Sequence, residues 1–358
     1  MINFIPNRPT LLLDEFKCKR NIQNMASKAK NCNISFTPHF KTHQSLTIGN
    51  WFRDEGVRAI TVSSAGMASY FASDGWDDIT IAFPFFPGMI PALIHLEKTT
   101  RLRLFLHNPQ DIELLKQQLK NPFRVIIEMD PGYGRSGTHF RDFQTIEKLL
   151  DACEKCNMAS FSGFYIHDGR TYQAKSPASA ADHAKTVLNI LAALKSDYPQ
   201  ASIIFGDTPS ASLLNDFGVV DEITPGNFVF YDWMQVQIGS CSLDDVALFC
   251  LLPSAQLRPE YEKLIVHGGA VHLSKDSIQV GDRISYGQAV SMDSSGISLL
   301  DGMYLSSLSQ EHGILMVPKG REVTDSVTIC PVHSCLTANL HDSYITTTGK
   351  RIEKRILS

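Results

Sequence analysis

Eight short apolar and β-branched runs, each leading to a polar or turn residue and most followed by a stretch of helical periodicity, restrict the folds open to this chain more than any other feature. The runs end near Lys41, near Ser64 (residues 59–63), near Pro84 (79–83) and near Leu106 (102–105). Four more end near Asp130 (125–129), Asp168 (161–167), Asp207 (202–206) and Asn227 (222–225). Residues 111–119, 143–153 and 178–194 read as helices between them. Residues 14–31 form an amphipathic helix ahead of the series, with Cys18, Ile22, Met25, Ala26 and Ala29 at helical spacing. Strands alternating with helices predict βαβ units and a parallel sheet. Eight of them fit an α/β fold closed into a (β/α)8 TIM-type barrel at least as well as an open doubly wound sheet. A barrel concentrates function at the C-terminal ends of its strands, and those ends read Lys41, Glu128, Asp130, His167, Asp168, Asp207, Thr208, Gly226 and Asn227.

Beyond residue 233 the pattern changes. Segments 264–266, 270–273, 277–280, 289–291, 314–317 and 326–329 are short, β-rich and separated by Gly, Pro, Asp or Ser. The expected organisation is a barrel over residues 13–233 and a C-terminal β-domain over 234–358, with residues 1–12 a candidate further strand of that domain.

A net charge of -4 gives no electrostatic case for nucleic acid or an anionic membrane. The basic run Lys350, Arg351, Lys354 and Arg355 is interrupted by Glu353 and reads as a solvated helix end or tail. No apolar stretch reaches transmembrane length, and the opening residues lack a basic segment followed by a long apolar one. Eight sparsely placed cysteines suit reduced thiols, so a soluble cytoplasmic protein is expected. Cys153 and Cys156 fall inside a helical pattern with no second pair, and read as two helix cysteines.

Five motifs carry chemistry. In Phe36-Thr37-Pro38-His39-Phe40-Lys41-Thr42-His43, one lysine lies between two histidines where a strand ends. A lysine of depressed pKa forms a Schiff base with an aldehyde such as pyridoxal phosphate, whereas the plain alternative is a surface lysine at a strand end. Gly132-Tyr133-Gly134-Arg135-Ser136-Gly137 satisfies the dinucleotide pattern, but it follows the fifth strand and has no acidic partner at the usual distance. It places Arg135 at the barrel mouth, either to hold an anionic ligand oxygen or to pair with Asp130.

Gly206-Asp207-Thr208-Pro209-Ser210 and Thr224-Pro225-Gly226-Asn227 follow the seventh and eighth strands, where barrels of this kind cradle a phosphate. Cys330-Pro331-Val332-His333-Ser334-Cys335 offers an imidazole and two thiols. In an extended segment His333 and Cys335 share a face and suit one Zn²⁺, with positions left open for water or substrate; two buried, unliganded side chains are the alternative.

Taken in order, these residues resemble the metal-activated D-serine dehydratases and D-threonine aldolases, which are alanine racemase-like, fold type III pyridoxal phosphate enzymes. The matching stretches are Pro38 to His43, Asp130 to Gly137, Tyr165-Ile166-His167-Asp168-Gly169, Gly206 to Ser210, Pro225 to Asp232, Glu311-His312-Gly313 and Pro331 to Cys335, nearly the whole chain. The resemblance implies that Lys41 carries pyridoxal 5'-phosphate and that Arg135 lies near the phenolic oxygen of its ring. It further implies that Tyr165 and Tyr172 line the cofactor site, that Thr208, Gly226 and Asn227 receive the phosphate, and that His333 and Cys335 bind the metal.

The aldolases usually have His-x-Asp where this chain has His333-Ser334-Cys335, and a thiolate favours zinc over Mg²⁺ or Mn²⁺. Thr37 and Phe40 depart from the residues usual beside the lysine. The implied activity is a D-serine dehydratase yielding pyruvate and ammonia. Retro-aldol cleavage of D-threonine or 3-hydroxy-D-aspartate, a plain racemase and a non-catalytic cofactor carrier are the alternatives. A head-to-tail homodimer acting on a small D-amino acid, with no nucleic acid or membrane partner, completes the expectation.

Overall fold

The computed structural model describes residues 6–293 and 296–355. Residues 1–5, on which the reading of the N-terminus partly rests, lie outside them. Contacts divide the chain into one unit of residues 24–226 and another of residues 1–23 with 227–358. Among the described residues no helix is long and apolar enough to cross a membrane.

All eight predicted strands of the first unit fall in one parallel sheet. They are Ser35–Phe36, Ile60–Val62, Asp78–Pro84, Arg101–Phe105, Phe123–Asp130, Ala159–Ile166, Ser202–Phe205 and Glu222–Ile223. From Ile60–Val62 onward each pairs in parallel with the next, and Glu222–Ile223 pairs with Ser35–Phe36. A parallel bridge from His39 to Thr61, with Phe40 N donating to Thr61 O at 2.8 Å, links the first strand to the second and closes the TIM-like barrel. The runs Ile79-Thr80-Ile81 and Val125-Ile126-Ile127 are buried throughout, as strands covered on both faces must be. Proline at a first helical turn starts Pro109–Gln118, Pro177–Asp197 and Thr208–Leu213, where the missing N–H costs nothing.

One ion pair is buried among these strands. Arg103 makes two 2.7 Å bonds to the carboxylate of Glu222, which also accepts from Thr37 Oγ1. Glu222→Gln would leave the guanidinium buried without its countercharge. Loss of about 3–5 kcal/mol of stability is expected, read as a lower urea midpoint with Lys41 chemistry retained at low temperature. An unchanged midpoint would contradict the pairing.

The other unit is antiparallel for the most part. Strands Lys263–His267, His312–Met316, Gly296–Leu308, Gly287–Asp293, Ser326–Pro331 and Leu248–Arg258 follow one another, and the last pairs back with the first to close a barrel. Its core holds Cys250, Leu252, Leu264, Val266, Leu305, Leu315 and Ile329. Thr10–Leu13 supplies the expected further strand, antiparallel to Leu248–Arg258 and parallel to Ser343–Thr346.

Three local expectations change. Residues 270–273 form a helical turn rather than a strand, because the Gly268-Gly269 step bends the chain back and Ala270 N and Val271 N are taken by the 309–310 loop. His333 and Cys335 do not share an extended segment: His333 is the extended residue capping helix Ser334–Asn339, and Cys335 lies in its first turn. Lys354 is 5% exposed and donates to the carbonyls of Ala338 and His341, so it closes the C-terminal end of that helix instead of belonging to a solvated tail.

Candidate active site

In the first unit the C-terminal strand ends gather Lys41, His39, His167, Arg135, Tyr165, Tyr172, Thr208 and Gly226. Lys41 itself is exposed at the strand end, so burial is not what prepares its amine. Its neighbours are the buried groups. Burial holds His39 well below the ordinary imidazole range, and the charges of Lys41, His167, Arg135 and His43 push the same way. His167 is lowered to about 3 by burial, then by Arg135 and Lys41. Both rings are therefore neutral at pH 7. Neutral His167 donates from Nδ1 to the carbonyl of Gly206, which fixes its tautomer and leaves Nε2 as an acceptor.

Arg135 is half exposed and lies 3.5 Å from Glu128, a buried carboxylate raised by desolvation. The alternative partner, Asp130, instead accepts the backbone N–H groups of Gly132, Tyr133 and Gly134 and so shapes the glycine loop.

The two loops proposed to cradle a phosphate are side by side. A Cβ on Gly206 would lie 2.4 Å from Thr224 Oγ1 and 2.5 Å from the Tyr165 hydroxyl. On Gly226 it would lie 2.8 Å from the His39 carbonyl and 3.1 Å from Thr42 Oγ1. Only glycine lets these main chains approach so closely, which presses the Lys41 segment against one loop and Tyr165 against the other. Thr208 is buried and its N–H donates to the Tyr172 hydroxyl at 3.2 Å. Burial raises Tyr165 to about 12, so it remains a phenol. Closely approached glycine backbone, a helix start capped by Asp207 and two tyrosines beside a lysine are the surroundings that a phosphorylated aldehyde needs.

In the second unit His333 and Cys335 interact, although through a helix start. His333 Nδ1 is 2.9 Å from Asp276 Oδ2. Burial alone would lower this imidazole, but Asp276, Cys335 and Asp232 raise it well above its ordinary range. With Nδ1 engaged by a carboxylate, Nε2 is the nitrogen that would bind a metal, and the carboxylate fixes the ring's direction.

Asp232 ties two helices together. It accepts from Gln235 N at the start of Trp233–Ile238 and from Ser334 N at 2.9 Å. Asn227 donates to Asp232 at 2.6 Å, to Ser334 Oγ at 3.0 Å and to Cys335 Sγ at 3.6 Å. Its amide is thus engaged beside the thiol, and any phosphate contact would fall to its main chain. An imidazole oriented by a carboxylate next to a thiol fits a soft divalent ion such as zinc.

Asp276 and Asp232 were not identified as site residues from sequence. Asp276 lies 57 positions from His333, and no local spacing joins them. Asp276→Asn keeps the shape and weakens the hold on the ring. Metal affinity is expected to fall about 10–100-fold, measured by competition with a chromogenic chelator. Unchanged affinity would remove Asp276 from the site.

Compared with known proteins, residues 13–232 match the family described as "Alanine racemase, N-terminal domain", and residues 254–347 match the "Putative serine dehydratase domain". D-serine dehydratase of Dictyostelium discoideum is 27% identical, over 94% of this chain and 92% of its own. The solved D-threo-3-hydroxyaspartate dehydratase from Delftia sp. HT23 superposes with a TM-score of 0.83 at 25% identity, covering 98% of both chains. A cysteine-to-alanine mutant of a D-threo-3-hydroxyaspartate dehydratase, solved in the metal-free form, gives 0.84 at 25% identity, with 98% of both chains covered.

Proposed function

Because the chain belongs to the alanine racemase N-terminal domain family, we propose that it is a pyridoxal phosphate-dependent lyase of β-hydroxy D-amino acids, with D-serine as substrate and pyruvate and ammonia as products. The observation that carries a metal-assisted lyase is the His333–Cys335 pair with Asp276 behind it, and the thiol where the aldolases usually have aspartate favours elimination. A racemase or a passive cofactor carrier has no use for a soft metal ligand set beside an oriented imidazole.

Lys41 would hold pyridoxal phosphate, which would supply the electron sink that makes the substrate Cα–H acidic. His333 and Cys335 would hold zinc, which would supply a Lewis acid for the β-hydroxyl. The chain's own residues do the rest. Lys41 Nζ would be the base that takes the Cα proton. His39 and His167 stay neutral, so they add no charge beside that amine. The paired glycine loops and Thr208 would hold the phosphate, and Tyr165, a neutral phenol, and Tyr172 would frame the ring. Asp276 keeps the metal-binding nitrogen of His333 aimed in one direction, and Asp232 with Asn227 fixes the Cys335 turn.

This reading extends to a cytoplasmic homodimer. All eight cysteines are free, which suits a reducing compartment. Purified protein supplied with the cofactor and Zn²⁺ is expected to form pyruvate from D-serine faster than glycine from D-threonine or D-3-hydroxyaspartate. Glycine and an aldehyde as the main products would make it an aldolase. Pyruvate from none of the three would overturn the assignment.

A further inference from the structure

The β-rich unit also brings together two imidazoles and a carboxylate that the proposed lyase does not use. His267 ends strand Lys263–His267, His272 lies in the helical turn Ala270–Leu273, and Glu311 precedes strand His312–Met316. One ligand atom from each lies within 4.8 Å of the other two. Glu311 Oε2 is 3.6 Å from His267 Nε2 and 3.8 Å from His272 Nε2. The two rings meet edge to face, 5.4 Å apart at 89°.

These separations exceed hydrogen bonds, yet they are near those of ligands sharing one ion. Ligands about 2.0–2.1 Å from a tetrahedral zinc stand roughly 3.4 Å from each other. Small side-chain rotations would complete the site. The Nδ1 of His272 is buried with no hydrogen-bond partner among the described residues.

The backbone holds the three groups in place. Gly268 N donates to Glu311 O at 2.9 Å, Ala270 N to Ser309 O at 2.8 Å and Val271 N to Gln310 O at 3.2 Å. The segments are so close that a Cβ on Gly269 would lie 2.2 Å from Gln310 O. His341 Nε2 adds a 2.9 Å bond to the carbonyl of His272. A cluster laced this tightly from separate segments is prepared for an ion before the ion arrives.

We propose that His267, His272 and Glu311 bind a second divalent ion of the zinc class, distinct from the one assigned to His333 and Cys335. Two imidazoles disfavour Mg²⁺ and Ca²⁺, which take oxygen ligands, and two histidines with one glutamate leave a fourth position to water. The ion would fasten the 309–311 loop to the 267–272 segment.

The test is metal counting. Wild-type protein stripped of metal and reloaded with Co²⁺ should hold two ions per chain. One should show a thiolate charge-transfer band lost in Cys335→Ala, and the other a thiolate-free spectrum lost in Glu311→Gln. In a His333→Ala/Cys335→Ala background, one Zn²⁺ per chain should remain. His267→Gln or Glu311→Gln should weaken it by more than the roughly 100-fold that loss of an outer partner can cost, with an unchanged circular dichroism spectrum. A single Co²⁺ per wild-type chain, carrying the thiolate band, would overturn the proposal. So would a second ion indifferent to His267 and Glu311. Either result stands whether or not D-serine is the substrate.

Discussion

Lys41→Ala protein is expected to fold as the parent does, to show no reducible visible band with pyridoxal phosphate and no covalent adduct after borohydride, and to turn over D-serine at least about 10⁴-fold more slowly. The side chain is exposed at a strand end, so its truncation removes little packing and should leave the melting temperature within a degree or two of the parent's. Both chemical roles disappear together, the covalent hold on the cofactor aldehyde and the base at Cα. His39 and His167 are the groups placed to substitute as base. His167, lowered to about 3, binds a proton too weakly to compete near neutral pH, and His39 is lowered in the same direction. A variant within tenfold of the parent in pyruvate formation, with the reducible visible band intact, would show that neither role belongs to Lys41.

The barrel was legible because its signal is local. Each run of β-branched residues predicts its own strand, and all eight candidates pair in one sheet although no single run specifies its neighbour. The lysine, the glycine loops and the His333–Cys335 spacing were legible for the same reason, being short motifs at strand or helix ends. What escaped the sequence lies in pairings fixed only by tertiary structure. Asp276 reaches His333 across 57 residues, and Glu222 meets Arg103 across 119. His267, His272 and Glu311 have no spacing that a motif could describe.

Lys354 was misread because a basic run near a chain end is usually solvated, whereas here one member is buried against helix-terminal carbonyls and lowered to about 8 by that burial. Within the lysine motif Lys41 is exposed, and the buried groups are the flanking imidazoles of His39 and His43.

Removing the ion from His333 and Cys335 is expected to separate two steps that Lys41→Ala abolishes together. After chelation, or in Cys335→Ala, exchange of the D-serine Cα proton with deuterated solvent should continue, because Lys41 and the phosphate loops belong to the other unit and are untouched. Pyruvate formation should fall by about 10³-fold or more, since a Lewis acid worth several kcal/mol at the leaving hydroxyl is lost. Zn²⁺ should restore the chelated parent and leave Cys335→Ala inactive.

Acid should imitate chelation. His333 is held well above the ordinary imidazole range by Asp276, Cys335 and Asp232 against the effect of burial, so without metal it stays protonated to unusually high pH. A metal must displace that proton and the thiol proton, so its affinity rises with pH, and pyruvate formation should show a stronger dependence on added Zn²⁺ as pH falls. Solvent deuterium exchange read by NMR beside a pyruvate assay gives both quantities from one sample. If exchange and elimination fell in parallel on chelation, the metal would be holding the fold or the cofactor rather than the departing hydroxyl.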